Sequence, residues 1–304
     1  MRERAGVIQG FAAYLLWGAF PFYFRLLERS GPFEVVAHRA LWSLAFCLAA
    51  LAVTRPRLHG ALGDRRTVTL LAAGGVLVAA NWTLYVWGVT TGRTLDAALG
   101  YYINPLLVAL VGVVFLGEEL RRGQWLAFVL GAAAVVVMVA GYGQVPVIAL
   151  GVATTFTLYG VIKKRAGRTV PAVPGLAVET AAIAPLALGY LLVLHAAGRD
   201  TVDLLTPYGA LVAASGVVTA VPLLLFAGAA ARIPLVTIGV LQYLTPTLQF
   251  LIGWLAFGEP MPAARWAGFA LVWLAVAVFA LDGARHHAAL RPSAPRAGPR
   301  TGAA

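Results

Sequence analysis

Ten apolar runs, separated by short polar stretches, follow one another along the chain at approximate limits 6–25, 34–53, 67–89, 95–116, 123–141, 145–162, 174–195, 208–230, 235–257 and 263–281. Each is close to the ~20 residues a helix needs to cross a bilayer. The pattern predicts an all-α polytopic membrane protein with ten transmembrane helices. The connections hold most of the prolines and cations. The last stretch, Gly283 to Ala304, is rich in Pro, Arg, Ala and Gly and reads as a disordered tail. The opening Met1-Arg2-Glu3-Arg4 followed by apolar residues mimics a signal peptide. Its apolar run extends to Phe24 with no small-x-small cleavage site behind it, so it is read as a retained first span.

The runs are not independent. Gly100 to Glu118 has an echo in Leu241 to Glu259, displaced by 141 residues. At that offset Tyr102 falls on Tyr243, Pro105 on Pro246, Gly117 on Gly258, Glu118 on Glu259 and Trp125 on Trp266. Matches at one offset with the same Pro-to-Glu spacing mark a duplication. The halves are residues 1–142 and 143–282, with 283–304 as the tail. Five spans per half is an odd number, so the second copy enters the membrane from the opposite side. That is an inverted repeat, an architecture of many secondary transporters. Each copy carries a proline inside a span, which removes a backbone bond and crowds the carbonyl four residues back, here Tyr101 and Gln242. Interrupted spans at matching places in two halves point to a transporter binding site. A packing kink is the bland alternative.

Composition narrows the class. The chain of 304 residues is 61% hydrophobic and only 12% charged, against about 25% charged in soluble domains. The net charge of +11 would suggest nucleic acid in a soluble protein. Here the cations sit in loops, where membrane topology explains them and no nucleic-acid partner is implied. With the N-terminus in the cytoplasm, 17 of the 23 Lys and Arg residues fall on inside segments and 5 outside, and Arg39 lies within a span. Both termini are therefore expected in the cytoplasm. The arginine-rich cation set, with abundant Ala, Gly and Val, points to a bacterial source and hence to the inner membrane. The single cysteine, Cys47, excludes an internal disulfide and reads as a small packing residue.

Charged groups at membrane depth are few, and each costs about 2.5 kcal/mol or more near a helix centre. They are His38 and Arg39 in span two and Glu179 in span seven. Glu179 is the repeat mate of His38. Inversion puts the two at mirror depths in opposite leaflets, each roughly 7 Å from its own face, so they do not pair directly. Glu34 lies one turn before His38, and Lys163, Lys164 and Arg165 lie on the same side as Glu179. Two readings stand for these residues: snorkelling to the interface, or gating and coupling, together with Pro105 and Pro246. Neutral polar groups cluster deeper. Asn81 and Tyr85 in span three, Tyr102 and Asn104 in span four, and Gln242 and Tyr243 in span nine are expected to line one central cavity. Aromatic faces with amides and hydroxyls suit an amphipathic small molecule. Helix-packing contacts are the alternative. Trp87 and Trp125 lie near span ends and read as an interfacial belt. Gly117-Glu118 and Gly258-Glu259 read as helix stops, their glutamates within reach of Arg121, Arg122 and Arg265.

Several segments together resemble a known family. They are Ala13-Tyr14-Leu15-Leu16-Trp17-Gly18; Ala37-His38-Arg39-Ala40-Leu41-Trp42-Ser43; Asn81-Trp82 with Tyr85 and Trp87; Leu99-Gly100-Tyr101-Tyr102-Ile103-Asn104-Pro105-Leu106; and Leu241-Gln242-Tyr243-Leu244-Thr245-Pro246-Thr247-Leu248-Gln249-Phe250. Two five-helix halves, each with a Pro-x(11)-Gly-Glu span, resemble the EamA modules of the drug/metabolite transporter superfamily. The finer segments resemble its RarD subfamily, whose members are called chloramphenicol-sensitive or chloramphenicol-resistance permeases. The resemblance covers roughly residues 6–282. It implies a ten-helix inner-membrane transporter with two EamA domains and does not fix the substrate; the expected function is alternating-access transport of small amphipathic metabolites or drugs, chloramphenicol-type compounds among the candidates, with no cofactor. No Gly-x(4)-Gly-Lys-Ser/Thr motif occurs, so the chain supplies no ATP site of its own. Energy is then expected from a gradient, with a proton or another ion as coupling partner and His38 and Glu179 as candidates. An intramembrane enzyme and a lipid-handling protein are the competing readings. Against the enzyme, the chain has no His-Glu-x-x-His and no Gly-x-Ser-x-Gly, and its aspartates all fall in loops or near span ends.

Overall fold

The structure, a computed structural model, describes residues 2–54, 64–116, 120–143, 145–166 and 170–289. All its regular elements among these residues are helical. They are α1 (Arg2–Arg25), α2 (Pro32–Thr54), α3 (Arg65–Thr90), α4 (Thr94–Leu116), α5 (Arg122–Tyr142), α6 (Val147–Ala166), α7 (Ala172–Ala196), α8 (Pro207–Ala230), α9 and α10 (Ala263–Ala289). α9 is broken into Leu235–Leu241, Leu244–Leu251 and a π-helical turn, Ile252–Ala256. Helix is the form in which an apolar segment satisfies every backbone group internally. The starts are set by local chemistry. Asp64 accepts from the backbone N–H of Arg66 and Thr67 at the head of α3. Thr206 caps α8 ahead of Pro207.

Among the described residues nine helices are long and apolar enough to cross a membrane. The expected sixth span has an apolar stretch of only Val147–Lys163, because Lys163 and Lys164 fall in its last turns. It still packs along α3 and α4 like its neighbours. The two proline spans differ. α4 runs unbroken through Pro105, whereas α9 breaks at Gln242 and Tyr243, four and three residues before Pro246. A helix tolerates proline where neighbouring elements hold the rest of the span, and α4 is pressed against α6. A Cβ on Gly100 would lie 2.6 Å from the Ala149 carbonyl oxygen. At the other end α10 continues to Ala289, past Gly283, where the tail was expected to begin. Residues 290–304, like Gly117 and Glu118, lie outside the described residues.

The principal helix contacts come in exchange pairs. α1 packs on α8 and α9, and α6 packs on α3 and α4. α2 packs on α3 and α8, and α7 packs on α8 and α3. α2 meets α7, α4 meets α9, and α5 meets α10. Moving each helix five places along the chain maps this set onto itself; α4 also packs on α10, with no counterpart of like extent between α9 and α5 among the described residues. Two glycines 141 residues apart let one helix come directly against the backbone of another. A Cβ on Gly75 of α3 would sit 2.3 Å from the Glu179 carbonyl oxygen of α7, and one on Gly216 of α8 would sit 2.4 Å from the Trp42 carbonyl oxygen of α2. Small residues that let helix backbones touch are how membrane helices associate where lipid offers no hydrophobic drive.

Candidate functional site

Polar side chains inside the bundle fall into four groups. The first grips α6. Asn81 of α3 donates through Nδ2 to the Val152 carbonyl and Thr155 Oγ1, both at 3.0 Å, and accepts from the Tyr101 hydroxyl at 3.4 Å. Asn104 of α4 donates to Thr157 Oγ1 at 2.9 Å and to the Ala153 carbonyl at 3.4 Å. Two amides from neighbouring helices therefore bind successive stretches of one facing helix.

The second group lines an open groove of about 420 Å³ between α4, α9 and α10. Tyr102 and Tyr243 line it with Thr247, Phe250 and Trp273. The Tyr102 hydroxyl and Thr247 Oγ1 are 2.8 Å apart across the two halves. Tyr102 also packs edge-on to Phe269 and Trp273. Pro246 lies one residue before Thr247, so the break in α9 places Tyr243 beside the opening. Around that break the segment is tied to α1: Thr245 Oγ1 donates to the Tyr14 carbonyl at 2.9 Å, and Gln249 Nε2 to the Trp17 carbonyl at 3.1 Å. Of the six residues expected in one cavity, the structure brings Tyr102 and Tyr243 together here. Asn81 and Asn104 face α6, Gln242 is half-buried at the break, and Tyr85 is buried edge-on to Phe24, one of the rings beside Arg39.

The third group holds the charges. Arg39 is 3% exposed and does not snorkel. Its guanidinium lies 4.0 Å from the Trp82 ring centre and 5.1 Å from that of Phe24. Its Nε donates to Thr219 Oγ1 of α8 at 2.8 Å. Glu179 is fully buried, accepting from Lys163 Nζ at 2.6 Å and from the Tyr159 hydroxyl at 3.0 Å. His38 is half-buried and makes no hydrogen bond among the described residues. Glu34, one turn away, accepts instead from the backbone N–H and hydroxyl of Thr201 beyond α7, each at 2.8 Å. His38 and Glu179 are not bonded to each other.

The fourth group joins the halves where α4 and α10 begin. Asp96 accepts from Arg265 Nη2 at 3.0 Å and from Arg93 at 2.8 Å. Glu259 accepts from the backbone N–H of Thr94 and Leu95 at 2.5 and 2.9 Å, so a residue of the second half caps α4 of the first. Gly258, at φ 65°, makes the turn that swings Glu259 back. Burial pushes the Glu259 carboxyl up from its ordinary range, and the two backbone donors oppose this. The Gly-Glu pair is visible in the sequence. Its target, 165 positions away, is not.

The profile of the EamA-like transporter family matches residues 4–140. The chain is 44% identical over 286 residues to Protein RarD of Streptomyces exfoliatus, covering 93% of this chain and 90% of the relative. It is 31% identical over 290 residues to the chloramphenicol-sensitive protein RarD of Pseudomonas aeruginosa, covering 92% and 95%. A crystal structure of another protein aligns over 94% of this chain and 100% of its own at TM-score 0.60 with 24% identity. That likeness speaks to the fold alone.

Proposed function

The chain belongs to the EamA-like transporter family, within its RarD group, and from that premise we propose that it is a secondary transporter of the bacterial inner membrane. It moves small amphipathic metabolites or drugs by alternating access between two inverted five-helix halves. The observation that carries this reading is the exchange symmetry of the helix contacts, with repeat mates Gly75 and Gly216 at equivalent close crossings. Two halves built alike and facing oppositely rock about a shared site. The groove at Tyr102 and Tyr243 supports an amphipathic solute, since it is aromatic with few hydroxyls and bridged between the halves. Compounds of the chloramphenicol type belong on the test panel because one relative carries that name. Glu179, held by Lys163 and Tyr159, is the proposed coupling site for a proton. The arginine bias supports cytoplasmic termini.

Counterflow in proteoliposomes preloaded with amphenicols, amino acids or sugars tests this. Saturable exchange of one class without chemical change supports transport. Recovery of a chemically altered product, or no flux across the panel from folded protein, goes against it.

A further inference from the structure

We propose that Arg39 binds a carboxylate of a small organic solute inside the membrane. This deepens the transport reading and rests on it for the solute's origin. Arg39 lies seven residues into α2, about 10 Å along the axis at about 1.5 Å per residue. Such a charge requires a partner, yet no carboxylate among the described residues supplies one. Glu34 is taken by Thr201, and Glu179 by Lys163 and Tyr159. The Nε–Thr219 bond uses one of five guanidinium donors, and the two terminal amino groups donate to nothing among the described residues. The rings of Trp82, Phe24 and Phe20, at 4.0, 5.1 and 5.6 Å, hold the cation by its π-face. That contact leaves the in-plane edge, where hydrogen bonds form, unused.

The hydroxyls around it are unmatched as well. Ser43 Oγ and Tyr85 OH are buried without a hydrogen-bond partner, and buried Ser215 Oγ has the Tyr23 hydroxyl as its one near neighbour. Each is placed by helix spacing near the guanidinium. Ser43 is one turn beyond Arg39, Ser215 is one turn before Thr219, and Tyr85 is one turn beyond Trp82. Gly216 lets α8 touch α2 at Trp42 and Ser43, which brings the two serines to the same crossing. Tyr85 and Tyr101 are neighbours of the same cation. The locus is therefore one positive charge and several donors with too few acceptors. A carboxylate supplies one negative charge and two oxygens matched to the guanidinium fork. The surrounding aromatic faces favour a carboxylate carried on an organic body.

The test uses the full chain in lipid nanodiscs, titrated with sodium benzoate, acetate, benzamide and inorganic phosphate while thermal unfolding is followed. Benzoate is expected to raise the unfolding temperature saturably, and benzamide to have no saturable effect. Arg39→Gln should weaken apparent benzoate affinity at least tenfold. Ser215→Ala, a milder change that keeps the cation, should weaken it several-fold and serves if Arg39→Gln does not fold. Equal effects of benzamide and benzoate, equal binding by the Ser215→Ala or Arg39→Gln chain, or no saturable effect of either carboxylate would overturn the site. Phosphate acting as strongly as benzoate would make it a general anion site and overturn the carboxylate assignment. Benzoate binding without flux in counterflow would retain Arg39 and defeat transport. Flux of uncharged solutes with no carboxylate binding would do the reverse.

Discussion

Adding one methyl group at Gly75 or Gly216 tests the packing on which the two-half architecture depends. In Gly75→Ala the new Cβ would lie 2.3 Å from the Glu179 carbonyl oxygen, and in Gly216→Ala 2.4 Å from that of Trp42. Both obstacles are backbone, so relief requires α3 to separate from α7, or α8 from α2. Overpacking of this kind costs about 1–3 kcal/mol. It outweighs the ~0.5–1 kcal/mol that alanine gains over glycine inside a helix. Gly189 of α7, with nothing within 4 Å, is the control. Thermal unfolding of the purified chain in detergent reads the effect. Gly75→Ala and Gly216→Ala should each lower the midpoint by roughly 5 °C, since about 1 kcal/mol moves a chain of moderate size by ~2–4 °C. Gly189→Ala should leave it unchanged or slightly raised. The contact would be refuted if all three variants unfolded within a degree of the parent. A large effect at one glycine and none at its mate would refute the equivalence of the two crossings.

Three other outcomes follow from the same geometry. Glu259→Ala strands the N–H groups of Thr94 and Leu95 and should cost about 1–3 kcal/mol in thermal unfolding, with Glu259→Gln intermediate; equal midpoints for all three chains would remove the cap. Asp96→Asn removes the negative charge from a pair with Arg265 in which both side chains are only 10% exposed, and should cost about 1–3 kcal/mol; an unchanged midpoint contradicts this. In a chain lacking Cys47, an impermeant maleimide added to spheroplasts should label Leu205→Cys and not Ala231→Cys, and the opposite pattern reverses the orientation.

The spans were legible because hydropathy is a local property; the duplication is read from Pro-x(11)-Gly-Glu recurring at a fixed offset. The family reading rests on those same local strings, and the relatives named above agree with it. What local sequence withheld was the identity of partners. Asn81 and Asn104 stood out as polar residues in apolar spans. That both grip α6 depends on helix approach, with Val152 and Thr157 some 50 to 70 positions away. Arg39 near a span end invited a snorkelling reading. The rings that enclose it come from α1 and α3, and the hydroxyl it bonds from α8. Pro105 and Pro246 look alike in sequence, yet α4 runs on through its proline and α9 breaks ahead of its own; α4 is also the helix whose Gly100 lies against the α6 backbone.

Alternating access is the central claim, and paired spin-label distances test it most directly. One pair, Gly92→Cys with Ala263→Cys, spans the halves where α4 and α10 begin and where Asp96, Arg265 and Glu259 hold them together. The other, Glu3→Cys with Arg165→Cys, spans them where α1 begins and α6 ends. Double electron–electron resonance of the two pairs in nanodiscs, with and without a solute that exchanges in counterflow, should show opposed changes, one distance distribution lengthening as the other shortens. Both pairs holding single, unchanged distances in a chain that carries out counterflow would contradict the account.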